Sequence, residues 1–295
     1  MNLSVVILTY NEEKHIERCI RNARRISNHI FLVDSFSSDN TVEIARSLGV
    51  EVIQNKWENN YAKQFNWGLE NLPINTRWVL RLDADEYLSE ELISEIKIKL
   101  PTVPENISGI ILKRKQYCFD SWVHPLELLR IFEYSKGKCE ERWMDEHIVL
   151  TDGGITKFDS LFFDYNLNSF GWWINKHNGY SIREAIDLLD IELNITGTQK
   201  VITGIGEEAS QKRAKKLKYA QSPLFWRSFA YFIYRYIFKL GFMKGKGQFI
   251  WDFFQGWWYR TLVDVKIYEI KQAAGTDPDK IAEYIKKTYG IDCRI

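Results

Sequence analysis

A chain of 295 residues with 45% hydrophobic residues has room for one large domain, or for one domain with an appended segment, and its formal charge of +1 excludes the global field of a nucleic-acid binder. Its four cysteines, Cys19, Cys118, Cys139 and Cys293, form no CxxC pair, which fits a reducing compartment and excludes the usual zinc spacings. No run of ~20 uninterrupted apolar residues supports a spanning helix, and Met1–Leu8 enters a strand-like run with neither the basic flank nor the cleavage site of a signal peptide.

Leu3–Thr9 reads as an apolar strand, and Asn11 as the cap of a helix carrying Ile16, Cys19, Ile20, Ala23 and Ile26. His29–Val33 is a second strand that ends in the polar stretch 34–41. Val42, Ala45 and Leu48 mark a short helix closed by Gly49, and Val50–Gln54 a third strand. Tyr61, Phe65, Leu69 and Leu72 share one face of the next helix, and Trp78–Leu82 is the fourth strand. Ser89 then caps a helix with Glu90 and Glu91 in its first turn. Strands separated by helices of this length predict a parallel sheet with right-handed crossovers.

After Pro101 the pattern changes. Gly109–Lys113, Leu128–Phe132 and Ile148–Leu150 read as strands, with Tyr117, Trp122, His124 and Pro125 in the loop between the first two. Gly153-Gly154 marks a turn, and Trp172 to about Leu193 a helix. From Phe225 to Lys239 the chain is aromatic nearly all round with Arg and Lys interspersed, and Gly241, Gly245 and Gly247 interrupt it before Trp251, Trp257 and Trp258. Such a segment fits the water–lipid interface, where Trp and Tyr lie at headgroup depth; a buried subunit or domain interface has a similar composition. An amphipathic helix carrying Ile281, Ile285 and Tyr289 follows Asp277.

Chemistry is expected at the carboxyl ends of the strands. Asp83 and Asp85, a D-x-D at the end of the fourth strand, face one side together and suit a hard divalent cation that also bridges phosphates. The plainer reading is a capping acid and a solvated charge. Asp34 ends the second strand beside Thr9, Tyr10, Asn11 and Glu12, where its carboxylate can accept a pyrimidine imide N–H while Tyr10 stacks; Ser38 and Asp39 read as turn and cap residues. Lys63, Gln64 and Asn66 stand in the first turns of a helix and point to phosphate or ribose, although an exposed helix face reads the same way. Asp145-Glu146-His147 is a dense titratable cluster in which a carboxylate can serve as general base toward a sugar hydroxyl. His177 contacts a diphosphate or metal, or is a satisfied structural histidine.

Ser4–Glu12, Val33-Asp34-Ser35 with Ser38–Thr41, and Leu82–Glu86 together resemble family 2 glycosyltransferases of the GT-A fold. Leu129–Phe132, Asp145-Glu146-His147 and Trp173–Tyr180 are similar to the bacterial lipopolysaccharide-core glucosyltransferase group, so the likeness covers about residues 1–190. It implies an α/β fold: a GT-A, Rossmann-like nucleotide-diphospho-sugar transferase sheet of mixed strands flanked by helices over residues 1–220. Residues 1–100 would be its nucleotide-binding half, 101–220 its acceptor-side half, and 221–295 a membrane-interfacial or oligomerisation segment.

The same resemblance implies an inverting transfer from a nucleotide-sugar, a UDP-sugar foremost, with Mg2+ or Mn2+. The acceptor would be a saccharide or lipid-linked saccharide, in lipopolysaccharide or other cell-surface polysaccharide synthesis at the cytoplasmic face of the inner membrane, with homo-oligomerisation open. Thr9, Tyr10 and Glu12 would line the nucleotide pocket, Asp34 would read the base, Asp83 would lie near the ribose and Asp85 would be the main metal ligand. The lipopolysaccharide group usually shows His-Glu, and other members Glu-Asp, where this chain has Asp145-Glu146; Glu146 is the first choice for the base, with Asp145 beside it.

Other classes fit less well. No G-x-G-x-x-G follows the first strand, Gly241–Gly247 lacks P-loop spacing, and the Gly- and basic-rich loop of a nucleotidyltransferase is missing. A catalytically inactive, membrane-associated glycan-binding or scaffold protein of the same fold is the non-enzymatic alternative, against which the intact Asp34, Asp83, Asp85 and Glu146 stand.

Overall fold

Leu3–Thr9 (β1) is buried along its whole length, as a strand covered on both faces of a sheet must be. It pairs in parallel with His29–Asp34 (β2) on one side and with Trp78–Asp83 (β4) on the other, and Glu51–Gln54 (β3) extends the sheet beyond β2. Alternation along β1 assigns its side chains to two cores. Leu3, Val5 and Ile7 pack with Ile16–Ala23 (α1), Thr41–Ser47 (α2) and Glu90–Lys99 (α4), while Val6 and Leu8 pack under Tyr61–Asn71 (α3). The computed structural model describes residues 1–118, 121–122, 125–140, 142–144, 146–197 and 216–294.

Beyond β4 the sheet becomes mixed. Leu126–Glu133 (β8) runs antiparallel to β4 and to Ile107–Cys118 (β6); Gly154–Tyr165 (β11) is parallel to β6, and Glu86–Leu88 (β5) closes the edge antiparallel to β11. Ser121–Trp122 (β7) pairs with β6, and Gly137–Cys139 (β9) with Ile148–Leu150 (β10) forms a separate ribbon. The path through the large sheet is β3-β2-β1-β4-β8-β6-β11-β5. The parallel sheet expected from the first hundred residues is therefore one half of a mixed one.

Ser89 caps α4 as expected, accepting the Leu92 N–H at 3.1 Å. Asn11 does not cap α1. It takes a left-handed conformation (φ 55°), which Asn tolerates, and its Oδ1 accepts the Ser38 N–H at 2.8 Å, so α1 begins five residues later. His124 lies outside the described residues.

Phe170–Leu193 (α5) leads to the helical region. Trp226–Ile233 (α6) continues through a π-helical turn, Tyr234–Phe238, to a 3-10 turn at Gly241–Lys244. Lys246–Trp251 (α7), a second π-helical turn at Asp252–Trp258 and Tyr259–Ala274 (α8) form one continuous run back, and Pro278–Tyr289 (α9) ends the chain. A third apolar core joins Ile182, Ile186 and Leu189 of α5 to Val263 and Ile267 of α8 and Ile281 and Ile285 of α9. Within this layer the buried Arg227 donates from Nε and Nη2 to Asp264 Oδ1, at 2.8 and 2.6 Å.

Candidate active site

The carboxyl ends of β1, β2 and β4 open into a cavity of about 1140 Å3, walled on the far side by α5 and the start of α8. Thr9, Tyr10, Glu12, Gln64, Asp83, Asp85, Glu146 and His177 all line it. Asp145 lies outside the described residues.

The acidic turn is built from inside. β4 ends at Asp83, and the fully buried Glu86 reaches back to accept the Asp83 N–H at 2.9 Å, which fixes the tight turn through Ala84 and Asp85. Arg18 donates to the Asp85 carbonyl at 2.9 Å, and Asn166 Nδ2 to Asp85 Oδ2, also at 2.9 Å. Arg130 joins Glu86 at 2.7 Å and lies 3.5 Å from Asp83. Burial works to raise the Asp83 pKa, but Arg130 and then Arg81 outweigh it and hold it at about 2. Burial, with the charge of Asp83 adding to it against Arg130, pushes Glu86 up to about 8. Asp164, buried beside the turn, rises to about 7 through burial first and the charge of Asp85 second. Both aspartates of the D-x-D thus face the cavity through a pinned turn rather than along one strand.

Glu146 is positioned from β4. The buried Arg81 donates to its Oε1 at 3.0 Å, lies over the Phe65 ring at 5.1 Å, and has its Nε 4.0 Å from Asp83 Oδ1. Arg81 and Asp83 alternate on one face of the strand, so one guanidinium ties the candidate base to the acidic turn.

Three of the expected ligand residues already have partners within the chain. Asp34 is fully buried behind Thr9: its Oδ1 accepts from Thr9 Oγ1 (3.1 Å) and Ser37 Oγ, and its Oδ2 from Ser37 N and Gln54 Nε2, both at 2.9 Å. It shapes the pocket from beneath. Asn66 exchanges two 2.8 Å bonds with the backbone of Cys139 and so fastens β9 to α3. Lys63 pairs with Glu58 at 3.7 Å. Gln64 does reach the site, donating to Ser35 Oγ at 3.1 Å.

The His177 ring lines the cavity, stacked on Trp173 at 3.6 Å, with Nδ1 2.9 Å from the Trp173 carbonyl. Burial pushes its pKa down to about 4, which makes the ring neutral at pH 7. Lys176, on the adjacent position of α5, also lines the cavity and lies over Trp172 at 4.6 Å. Sequence reasoning missed Lys176, although it stands inside a quoted motif. It also missed Arg81, whose i, i+2 spacing to Asp83 was readable, and Arg130 and Asn166, which reach the turn only through tertiary pairing.

The donor set at the turn consists of carboxylate oxygens, which suit Mg2+ or Mn2+. Among the described residues no group of three or more His, Cys, Asp or Glu side chains could hold an ion alone.

The family model described as Glycosyl transferase family 2 matches residues 4–157. An uncharacterized glycosyltransferase of Rickettsia typhi is 27% identical over 254 residues, which is 81% of this chain and 79% of that protein. The lipopolysaccharide core biosynthesis glycosyltransferase LpsC of Rhizobium meliloti is 26% identical over 163 residues, 52% of this chain and 58% of that protein. Among solved structures, the mannosyltransferase PcManGT of Pyrobaculum calidifontis, in complex with GDP-Man and Mn2+, shares the fold with a TM-score of 0.52 at 14% identity, over 90% of this chain and 87% of that one.

Proposed function

Because the chain belongs to glycosyl transferase family 2, with a GT-A fold and a C-terminal aromatic helical layer, it is a glycosyltransferase, and we propose that it inverts the configuration of a sugar taken from a UDP-sugar. The observation that carries this reading is one cavity holding the pinned turn of Asp83 and Asp85 together with Glu146, itself held by Arg81. The acceptor is a saccharide or lipid-linked saccharide of the cell surface, a reading supported by the likeness to LpsC.

Thr9, Tyr10, Glu12 and Gln64 border the nucleotide, and Asp34 keeps Thr9 and Ser37 in place at the base end. Asp85, with Asp83 beside it toward the ribose, would hold Mg2+ or Mn2+, which would offset the charge of the leaving diphosphate by several kcal/mol. Lys176 adds a fixed positive charge at the same group. Glu146 accepts the proton of the acceptor hydroxyl as that oxygen attacks the anomeric carbon from the face opposite the diphosphate, which inverts the centre. General-base help of this kind contributes about 10²–10⁴-fold. Asp145 is its neighbour in sequence and the second candidate.

Peripheral contact with the cytoplasmic face of the inner membrane completes the proposal. Trp226, Phe238 and Met243 are 73%, 74% and 70% exposed, and Lys239, Lys244 and Lys246 stand among them. No acidic residue occurs from Lys216 to Trp251. Among the described residues no helix is long and apolar enough to cross a membrane, so the contact would be interfacial.

A thermal-shift panel of UDP- and GDP-sugars, with and without Mn2+, tests the core of this reading. Metal-dependent stabilisation by UDP-sugars is the expected result. Stabilisation by GDP-sugars alone would overturn the choice of nucleotide, and a folded protein that neither binds nor hydrolyses any donor would favour the inactive scaffold.

A further inference from the structure

Arg183 of α5 is 7% exposed and borders the cavity, yet among the described residues it forms no ion pair and no hydrogen bond, and its Nη1 is wholly buried. Among the described residues the three other buried arginines behave differently: Arg81 pairs with Glu146, Arg130 with Asp83 and Glu86, and Arg227 with Asp264. The acids nearest Arg183 along α5 already have cations, since Glu184 meets Lys216 at 2.9 Å and Asp187 meets Arg142 at 2.6 Å.

What surrounds the guanidinium is aromatic. It lies 5.7 Å from the Trp57 ring, 5.1 Å from Tyr61 and 4.6 Å from Tyr180. Tyr61 and Tyr180 are joined through their hydroxyls at 2.9 Å, which holds two of the rings in place. Lys176, Tyr180 and Arg183 share one face of the helix at i, i+4 and i+7, and Lys176 Nζ is 5.7 Å from the same Tyr180 ring. Among the described residues Lys176 also lacks an ion pair.

Burying a charge without a counter-charge is costly, and aromatic faces return only part of that cost. A cation kept under those conditions at a cavity wall matches a ligand that brings the negative charge with it. The planar fork of a guanidinium suits the two oxygens of a phosphate or a carboxylate, and the three rings restrict its plane before the ligand arrives.

We propose that Arg183, in its cage of Trp57, Tyr61 and Tyr180 and with Lys176 alongside, is an anion-binding subsite of the cavity that takes a phosphate or carboxylate group of a substrate. The subsite rests on the glycosyltransferase reading only for the source of the anion: the diphosphate of the donor, or an acidic substituent on the acceptor saccharide. The cavity volume of about 1140 Å3 is above the ~300–1,000 Å3 common for single small-molecule sites and leaves room for both substrates.

Isothermal titration of the full chain, wild type against Arg183→Met and Arg183→Lys, tests the subsite with four probes: inorganic phosphate, UDP with Mg2+, a hexose 6-phosphate and the neutral hexose. Wild type should bind phosphate saturably in the millimolar range, and both variants should lose at least tenfold. Arg183→Lys keeps charge and bulk but not the fork, so its loss at an unchanged melting temperature separates recognition from folding. Arg183→Met should melt at or above the wild-type temperature, since it removes an uncompensated buried charge.

A parallel tenfold loss of UDP affinity assigns the anion to the donor. Retained UDP affinity, with lost preference for the hexose phosphate over the hexose, assigns it to the acceptor. Absence of phosphate binding to wild type, or affinities for every probe within twofold of wild type in both variants, overturns the proposal. Should UDP fail to bind wild type, the nucleotide reading fails while the phosphate arm still judges the subsite.

Discussion

The two ends of this molecule handle polarity in opposite ways. In the sheet half, polar and charged groups are turned inward and matched one by one: Asp34 receives four donors, Glu86 holds the Asp83 N–H, and Arg81 holds Glu146. In the helical hairpin after Phe225, large apolar groups are turned outward and the lysines among them have no acidic neighbours in sequence. The first arrangement depends on geometry, so single atoms should matter. The second depends on composition, so effects should be graded and additive. Even so, the hairpin is anchored by matched charges. Arg227 meets Asp264, and Asp252, 2.7 Å from Arg235, lies where a Cβ on Gly241 would come within 2.4 Å of its Oδ2.

The severest break of that contrast is at the acidic turn. Asp85→Ala should lower transfer by ~10³-fold or more, several kcal/mol on the barrier, and should abolish the metal-dependent part of nucleotide stabilisation. Stabilisation by nucleotide and Mn2+ that persists in the variant would move the metal from this residue. Glu146→Gln should cost about 10²–10⁴-fold in kcat while leaving nucleotide affinity near wild type, because only the proton acceptor is lost. Full activity in that protein transfers the role to Asp145. If the sheet half works by geometry, Arg81→Met should reproduce most of the Glu146→Gln loss, since Glu146 then keeps its carboxylate and loses its anchor.

The hairpin should respond in steps. Near an anionic membrane each basic residue contributes about 1 kcal/mol, so replacing Lys239, Lys244 and Lys246 together by Glu should weaken flotation with anionic vesicles by ~10²-fold, and single replacements by a few-fold each. Turnover on a soluble acceptor should not change. Vesicle binding that ignores the lysines but collapses with a change in oligomeric state would instead make the exposed aromatics an interface between subunits.

The same contrast explains what could be read in advance. β1, β2 and β4 are near-continuous apolar runs because both faces are covered, and that pattern survives without any structure. β5 has three residues and exists only through its pairing with β11, whose own sequence, Gly154–Tyr165, alternates too poorly to announce a strand. Asn11 misled because the short amide that suits a cap also suits a left-handed turn. At the site, Asp83, Asp85 and Glu146 stand in dense local motifs, whereas Arg183 is one arginine on an amphipathic helix. Its missing partner is a fact of three dimensions, with no signal along the chain.

The smallest effect concerns the seam between the two regions. His177 stacks on Trp173 in α5 and meets the Tyr259 ring of α8 at 5.3 Å, and burial holds its pKa at about 4 against an ordinary value near 6.5. Between those two values the unfolded chain binds a proton that the folded chain refuses. The stability tied to the neutral ring is therefore complete above pH ~6.5 and is lost as pH falls toward 4. After allowance for its partly open surroundings, the contribution should be about 2 kcal/mol. In His177→Gln, which cannot titrate, the difference in unfolding free energy between pH 7 and pH 4.5 should shrink by about that amount, measured by urea melts at both values. A wild-type-minus-variant difference of the opposite sign, with His177 adding stability on acidification, would mean an imidazolium in the folded protein. That result would make His177 a candidate for the proposed diphosphate contact, on the same wall as Lys176.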